Sequence, residues 1–214
     1  MTQPVYMVGA GGHAKAVLAA LHANQIYPIA IYDDNSERWG TSLYDIPIKG
    51  GIDDFATLGQ VTAVLAIGDN LTRKQIAERL PGINWLTIVH PYTCVHSSVK
   101  IGQGSVILEG AIVQPDVIIG QQCILNVESM IGHDCVLEDY AHVCGAKLTG
   151  NVCVQEGVLL GANTTVQPGI TIGEWSKSAI ASAIMRNVAP YSIMIGNPAR
   201  CVSSTRVDPA VGAS

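Results

Sequence analysis

The sequence predicts two folds in one chain: a small α/β domain with one nucleotide crevice, followed by an all-β parallel β-helix. A strand, a glycine-rich turn and a helix open the 214-residue chain. Over residues 101–172, an aliphatic residue returns at every sixth position, a period that fits neither an α-helix nor a lone strand. We expect the α/β domain over 1–85, the β-helix over 86–200 and a C-terminal tail over 201–214.

The N-terminal elements alternate between strands and helices. Strands are predicted at 5–8, 29–32 and 63–67, and helices follow the first and third of them. The turn Gly9-Ala10-Gly11-Gly12-His13 and the acidic pair Asp33-Asp34 about twenty residues later formally match the dinucleotide-binding fingerprint. There is room before Trp85 for only half of a double-wound fold, so a single nucleotide site is expected rather than an NAD-dependent oxidoreductase.

The glycine turn allows close approach of an anion. Free N–H groups at a helix start attract a group such as a diphosphate, and glycine leaves the backbone accessible. The alternative is that these glycines serve only the packing of strand against helix.

The aliphatic series of the repeat slips once. It loses one residue between Val143 and Leu148 and then resumes. Its members are Ile101, Ile107, Val113, Ile119, Leu125, Ile131, Leu137, Val143, Leu148, Val154, Leu160, Val166 and Ile172. Small or β-branched residues lie four positions after most of these, including Cys123 and Cys135, which we expect to be buried small apolar side chains.

Each hexapeptide is read as one short strand plus a corner. Three such units close a triangular coil, so that equivalent positions stack at ~4.8 Å and the aliphatic residues fill the interior. Within the unit Ile131-Gly132-His133-Asp134-Cys135, the inward positions belong to Ile131 and Cys135. We therefore expect His133 to point outward.

The composition limits the classes of partner. Twelve Lys and Arg against 17 Asp and Glu give a formal net charge of −5 without a basic run, which argues against nucleic acid as a partner. The sequence shows no secretory leader pattern and no apolar stretch near the ~20 residues that span a bilayer. We expect a cytoplasmic protein without membrane insertion.

Three segments carry a family resemblance: Gly9 to His13, His133-Asp134, and the closing segment 188–200, which includes Ile195-Gly196-Asn197-Pro198-Ala199-Arg200. With the repeats, they resemble the left-handed β-helix of hexapeptide acyltransferases. The chain is most similar to nucleotide-sugar N-acetyltransferases of the bacillosamine, viosamine and perosamine pathways, and sialic acid O-acetyltransferases are near relatives.

The resemblance implies a reaction and its participants. Acetyl would pass directly from acetyl-CoA to the 4-amino group of a nucleotide-linked 4-amino-4,6-dideoxy sugar. The first candidate is UDP-4-amino-4,6-dideoxy-N-acetylglucosamine, which would give UDP-N,N'-diacetylbacillosamine. The resemblance does not determine whether the nucleotide that carries the sugar is UDP, dTDP or GDP. We expect a homotrimer, because one outer face of a prism cannot enclose a substrate.

The resemblance also implies roles for individual residues. His133 would be the general base, Asp134 its neighbouring acid, and His142 would orient the thioester or the amine. The nucleotide sugar would meet Gly11, Gly12, His13, Asp33, Asp34, Gly68, Asn70 and Arg73. Acetyl-CoA would meet Gly145, Gly161, Ala179, Arg186 and Arg200.

Alternatives remain open from the residues alone. An outward His133 can simply be solvated, His142 can pack a corner, and Arg73, Arg186 and Arg200 can be surface charges. Acetylation of a sugar hydroxyl is a second possible reaction, and a nucleotide-sugar-binding scaffold without chemistry is a third reading. A zinc site would need histidines closer together than His133 and His142, so no metal is expected.

Overall fold

The computed structural model describes residues 3–204, which form an N-terminal lobe and a triangular prism. The lobe is a six-stranded sheet in the order β3-β4-β2-β1-β5-β6, with three helices. Its strands are β1 (Val5–Val8), β2 (Ala30–Tyr32), β3 (Ser42–Leu43), β4 (Ile46–Gly50), β5 (Thr62–Leu65) and β6 (Asn84–Trp85). Its helices are α1 (Gly12–Ala23), α2 (Ile52–Ala56) and α3 (Asn70–Arg79), and a short 3-10 turn covers Ser36–Arg38.

The strand order places the predicted nucleotide crevice. β1 pairs in parallel with β2 on one side and β5 on the other, so their carboxyl ends share one edge of the sheet. The chain adds strands first on one side of β1 and then on the other. In α/β folds, ligands bind at the carboxyl ends of the strands next to such a change of side. The glycine turn follows β1, Asp33 follows β2, and Gly68 lies shortly after β5.

The prism consists of three parallel sheets, here called faces 1, 2 and 3 in the order in which the chain visits them. Face 1 contains β7 (Ile88–Val89), β10 (Val106–Ile107), β13 (Ile124–Leu125), β16 (His142–Val143), β19 (Leu159–Leu160), β22 (Lys177–Ser178), β24 (Ser192–Ile195) and the antiparallel β25 (Arg200–Ser204). Face 2 contains β8 (Cys94–Val95), β11 (Ile112–Val113), β14 (Met130–Ile131), β17 (Lys147–Leu148), β20 (Thr165–Val166) and β23 (Ala183–Ile184). Face 3 contains β9 (Lys100–Ile101), β12 (Ile118–Ile119), β15 (Val136–Leu137), β18 (Cys153–Val154) and β21 (Thr171–Ile172).

The register confirms the predicted β-helix. From β7 to β20 each strand pairs with the third strand along the chain, as Ile107 pairs with Leu125 and Leu125 with Val143. The six-residue aliphatic series lines the interior, where Ile131 and Cys135 are fully buried. The architecture is thus an α/β lobe followed by a left-handed parallel β-helix.

The missing residue of the repeat falls at a corner between faces 1 and 2. Residues 144–146 make this turn in three residues, whereas the preceding coil uses the four residues 126–129. The ladder continues without a slip, because Ile131 still pairs with Leu148. The deletion therefore shortens one corner and leaves the prism core in register.

The lobe lies on face 1. Helix α1 packs its apolar side on Ile88, Val106 and Leu108, and α3 contacts the corner between faces 3 and 1. None of the helices in residues 3–204 has the length and apolar character needed to span a bilayer. Of the predicted tail, residues 201–204 belong to β25, and residues 205–214 lie outside the described part of the chain.

Candidate functional site

His133 and Asp134 form an exposed pair at the corner between faces 2 and 3. His133 Nδ1 lies 2.6 Å from Asp134 Oδ2, and their side chains are 57% and 52% exposed. A carboxylate only accepts, so Nδ1 is the donor, and in a neutral ring Nε2 then carries the lone pair. Asp134 reaches this position in the left-handed region at φ 59°, which aspartate tolerates better than most residues.

The coils on either side of His133 hold its backbone and leave room for its ring. Its backbone N–H donates to Gln114 Oε1 at 3.0 Å in the preceding coil. Gly150 lies beneath the ring in the following coil, where an added Cβ would come within 2.6 Å of both Cε1 and Nε2. The imidazole therefore rests on a bare backbone, and only glycine leaves it in that position.

His142 lies on face 1, at the junction with the lobe. It is 7% exposed, and its Nδ1 lies 3.2 Å from Gly68 O while Nε2 lies 3.4 Å from Asn126 Nδ2. These contacts are consistent with a ring that donates from Nδ1 and accepts at Nε2. Burial and then the charge of Arg73 lower the pKa of His142 to about 3, so the ring is neutral near pH 7.

His13 lies against His142, with ring centroids 6.0 Å apart. Burial, and secondarily Arg73, lowers the pKa of His13 to about 4. Among the described residues, no hydrogen-bond partner meets its buried Nε2 atom. The lobe and face 1 thus meet across two neutral histidines.

The glycine turn presents an open surface at the start of α1. Apart from the adjacent residues and the nearby helix backbone, no atom lies within 4 Å of a Cβ built on Gly11 or Gly12, and Gly11 caps the helix without a side-chain hydrogen bond. Asp33 holds the turn from β2, accepting from Ala10 N at 2.6 Å and from Asn35 N at 2.9 Å. Asp34 accepts from Ile52 N at 2.8 Å and so orders the start of α2.

Arg73 and Asn70 are placed differently from the sequence expectation. Arg73 is 1% exposed, and its five N–H groups reach Gln122 O, Tyr140 O, Ile67 O, Gly68 O and Asn70 Oδ1. No N–H remains for a nucleotide, although the guanidinium stays charged because burial lowers its pKa only to about 10. Asn70 donates to Gly157 O and Val158 O. Both side chains join the lobe to the prism.

Gly145, Gly161 and Ala179 lie at the corner between faces 1 and 2 in successive coils, where Gly161 stacks on Ala179 and Gly145 is offset by one position. A Cβ on Gly161 would meet Ala179 C at 2.8 Å. A cavity of about 730 Å³ lies at this corner, and its walls include Asn126, Cys144, Gly145 and Asn163. The structure thus places all three predicted acetyl-CoA contacts at one corner, and Gly145 lines the recess there.

Arg186 and Arg200 line a second cavity, of about 500 Å³, at the far end of the prism. Arg186 occupies the same corner as His133, three coils further on. At ~4.8 Å per coil the two positions are separated by ~14 Å along the prism axis.

The lobe and His133 lie on opposite sides of one chain. The lobe covers face 1, and His133 occupies the corner between the other two faces. His133 therefore cannot meet Gly11, Gly12 or His142 of its own chain.

Sequence reasoning missed Gly150, Gln114 and Asn126. Gly150 carries a signal, because residue 150 follows residue 133 by one shortened coil of 17 residues and so stacks on it. Asn126 and Gln114 resemble the other polar corner residues and have no such signal. Within residues 3–204, no group of three or more His, Cys, Asp or Glu side chains could hold a metal ion.

Comparison with known proteins agrees with this architecture. Residues 4–80 match the family model of the PglD N-terminal domain. The chain is 27% identical over 144 residues to GDP-perosamine N-acetyltransferase of Escherichia coli O157:H7, covering 64% of this chain and 65% of that one. It is 37% identical over 110 residues to UDP-N-acetylbacillosamine N-acetyltransferase of Bacillus subtilis (strain 168), covering 49% and 50%. The chain thus spans less than two thirds of the length of either relative.

A solved structure matches nearly the whole fold. A mutant of perosamine N-acetyltransferase from Caulobacter crescentus, in complex with CoA and GDP-perosamine, superposes with a TM-score of 0.89 at 28% identity. The match covers 95% of this chain and 99% of that one. The chain therefore combines an N-terminal region that matches the PglD N-terminal domain model with a hexapeptide-repeat β-helix, and it is similar to nucleotide-sugar N-acetyltransferases of the perosamine and bacillosamine type.

Proposed function

We propose that this protein transfers the acetyl group of acetyl-CoA to the 4-amino group of a nucleotide-linked 4-amino-4,6-dideoxy sugar. UDP-4-amino-4,6-dideoxy-N-acetylglucosamine is the first candidate acceptor. The observation that carries the proposal is the exposed His133-Asp134 pair, with Nε2 of the ring directed away from the carboxylate. The similar proteins are a GDP-perosamine N-acetyltransferase and a UDP-N-acetylbacillosamine N-acetyltransferase, which supports a nucleotide-linked amino sugar as the acceptor here.

His133 would act as general base. The amine nitrogen attacks the thioester carbonyl carbon, the C–N bond forms, and the carbonyl electron pair moves to oxygen. Nε2 of His133 takes the proton that the nitrogen loses, and Asp134 stabilises the resulting imidazolium. When the intermediate collapses the C–S bond breaks, and CoA leaves as a thiolate that can take up this proton. No acyl-enzyme is needed.

The active site would form between two chains of a homotrimer. Within one chain the base and the lobe lie on opposite sides of the prism, so a neighbouring chain must supply one of them. A cyclic trimer places the same two surfaces against each other at each of its interfaces. His142 of the lobe-bearing chain would then orient the thioester or the amine from the other side of the cleft.

Acetyl-CoA would lie in the groove between neighbouring prisms. One wall would be the corner of Gly145, Gly161 and Ala179, next to the recess at the shortened turn. The other would be the corner that carries His133 and, three coils further on, Arg186. Arg186 and Arg200, which line the cavity at the far end of the prism, would then meet the phosphates of the cofactor.

The nucleotide sugar would lie over the open glycine turn of the lobe. The uncapped N-terminus of α1 offers N–H groups to the diphosphate, and Gly11 and Gly12 allow the phosphates to approach the backbone. His13 and Gly68 border the same crevice. A cytoplasmic location and the identity of the nucleobase in the acceptor stay predictions.

An acceptor panel tests the proposal. Purified protein is incubated with acetyl-CoA and with UDP-, dTDP- and GDP-linked 4-amino sugars, with sialic acid as the hydroxyl acceptor. A mass increase of one acetyl group on one amino sugar is expected, and His133→Ala should lower turnover by ~10²–10⁴-fold without loss of fold. Acetylation of sialic acid alone, or unchanged turnover in the variant, would contradict the proposal.

A further inference from the structure

We infer that Arg38 binds the diphosphate of the nucleotide sugar and supplies the positive charge that the glycine turn lacks. This inference rests on the proposed function, because it assigns a residue to the same nucleotide site. Arg38 lies on the 3-10 turn Ser36–Arg38, shortly after β2 ends. Its guanidinium Nη1 donates to the carbonyl oxygen of Ala10 in the glycine turn.

The backbone around Arg38 is fixed. Its N–H donates to Asn35 O at 3.0 Å, and its carbonyl accepts from Thr41 N at 3.1 Å. The Ala10 residue is therefore held on both sides, its N–H by Asp33 and its carbonyl by Arg38. The guanidinium is thus placed at the edge of the open surface of Gly11 and Gly12.

The remaining N–H groups of Arg38 are available. In residues 3–204 the guanidinium makes no ion pair, and Ala10 O is its one hydrogen-bond acceptor. A guanidinium has five donors in a planar fork that matches phosphate oxygens. The half-buried side chain of Arg38 therefore carries a charge that forms no ion pair with any side chain in the described part of the chain.

The surrounding charges show why a cation is needed there. The carboxylate of Asp33 lies against the turn, and an anionic ligand beside it would be repelled without compensation. Other cations of the lobe do not serve this purpose. Arg73 has used all five donors in the junction, and Arg79 is paired with Asp53 and Asp34. Lys15 is exposed on α1, and Arg38 is the cation that touches the turn.

Comparing the affinity of a nucleoside diphosphate with that of its nucleoside shows whether Arg38 contacts the phosphates or only supports the structure of the site. The probes are UDP, dTDP and GDP, each with its nucleoside, measured by titration calorimetry on the full chain. The nucleoside diphosphate that binds most tightly, together with its nucleoside, is then titrated into wild type, Arg38→Gln, Arg38→Lys and the control Lys15→Gln. Gln keeps an N–H for Ala10 O and removes the charge, and thermal unfolding checks that the variants remain folded.

Arg38→Gln should weaken diphosphate binding by about 10- to 100-fold and leave nucleoside binding unchanged. Arg38→Lys should recover part of the loss, and Lys15→Gln should match wild type. Equal losses for nucleotide and nucleoside, or no loss at all, would overturn the role of Arg38. If wild type binds none of the nucleotides, both this inference and the nucleotide part of the proposed function fail. Arg38-dependent binding without any acetyl transfer would sustain the inference and refute the reaction.

Discussion

The imidazole of His133 lies directly over Gly150, at a distance that leaves no space for a Cβ. The two residues occupy the same corner in consecutive coils, so the stacking of the β-helix brings them together. Gly150 is outside the left-handed backbone region, and alanine is therefore compatible with its backbone. The requirement for glycine at this position comes from the ring above it.

Gly150→Ala should lower turnover with little effect on stability. The added methyl would displace the ring by about 1 Å, a misplacement that costs up to ~10²-fold when a reacting group must be aligned. The measurements are kcat with the best acceptor and thermal unfolding. In a His133→Ala background the same substitution should have no further effect, because no ring remains to be moved. A full additional loss in that background would show that Gly150 acts through something other than His133.

Arg73→Met should destabilise the protein by at least about 3 kcal/mol, because the buried carbonyls that Arg73 contacts would lose their donor. For a chain of this size the corresponding fall in Tm is roughly 6–12 °C. Arg79→Met is the matched control on the same helix, since Arg79 is 44% exposed and its ion pairs are worth at most ~1 kcal/mol. Denaturant unfolding of both variants checks this, and equal losses would argue against a special role for Arg73.

The contrast between Arg73 and the repeat shows what could be predicted from the sequence. The prism follows from periodicity, because each aliphatic position is repeated a dozen times and every copy faces the same interior. The strand, turn and helix of the lobe follow from local glycine and apolar patterns in the same way. The short strands β3 and β4 and helix α2 have no comparable periodicity, and they were not predicted.

The candidate site was predictable only in part. His133 was expected to point outward because its neighbours Ile131 and Cys135 hold the inward positions, and it does so. The burial of Arg73 could not be predicted in this way, because an arginine on a polar helix is normally a surface charge. Its position follows only from the docking of α3 on the prism. The placement of the lobe opposite His133 is likewise a tertiary fact that no local pattern encodes.

Stability should fall as the pH is lowered from about 6.5 toward 4. His13 and His142 have folded-state pKa values of about 4 and about 3, below the ordinary value of 6.5. In this window the unfolded chain binds protons that the folded chain does not, so the free energy of unfolding decreases as the pH drops. Each histidine contributes up to about 1.4 kcal/mol per pH unit.

His142→Gln isolates this effect, because Gln can still donate to Gly68 O but does not titrate. Urea unfolding at pH 7, 6 and 5 should show that the stability of the variant depends less on pH than that of wild type. In the double variant His13→Gln, His142→Gln the free energy of unfolding should depend on pH even less. Identical pH slopes for all three proteins would mean that these histidines are not buried as neutral groups.

Mixed oligomers test whether each active site is shared between two chains. His133→Ala removes the base, and Gly12→Glu places a carboxylate over the open turn, where it repels a diphosphate, so each variant alone should be inactive. In a cyclic trimer that contains both, one interface joins an intact His133 to an intact lobe. Activity should therefore return to at most about one third of the wild-type turnover per mixed trimer. The two variants are co-expressed with different tags and purified through both. If each active site were built within one chain, every subunit of the mixed trimer would carry a damaged site. An inactive trimer that is shown to contain both variants would therefore place the base and the acceptor in the same chain, contrary to the positions of His133 and the lobe.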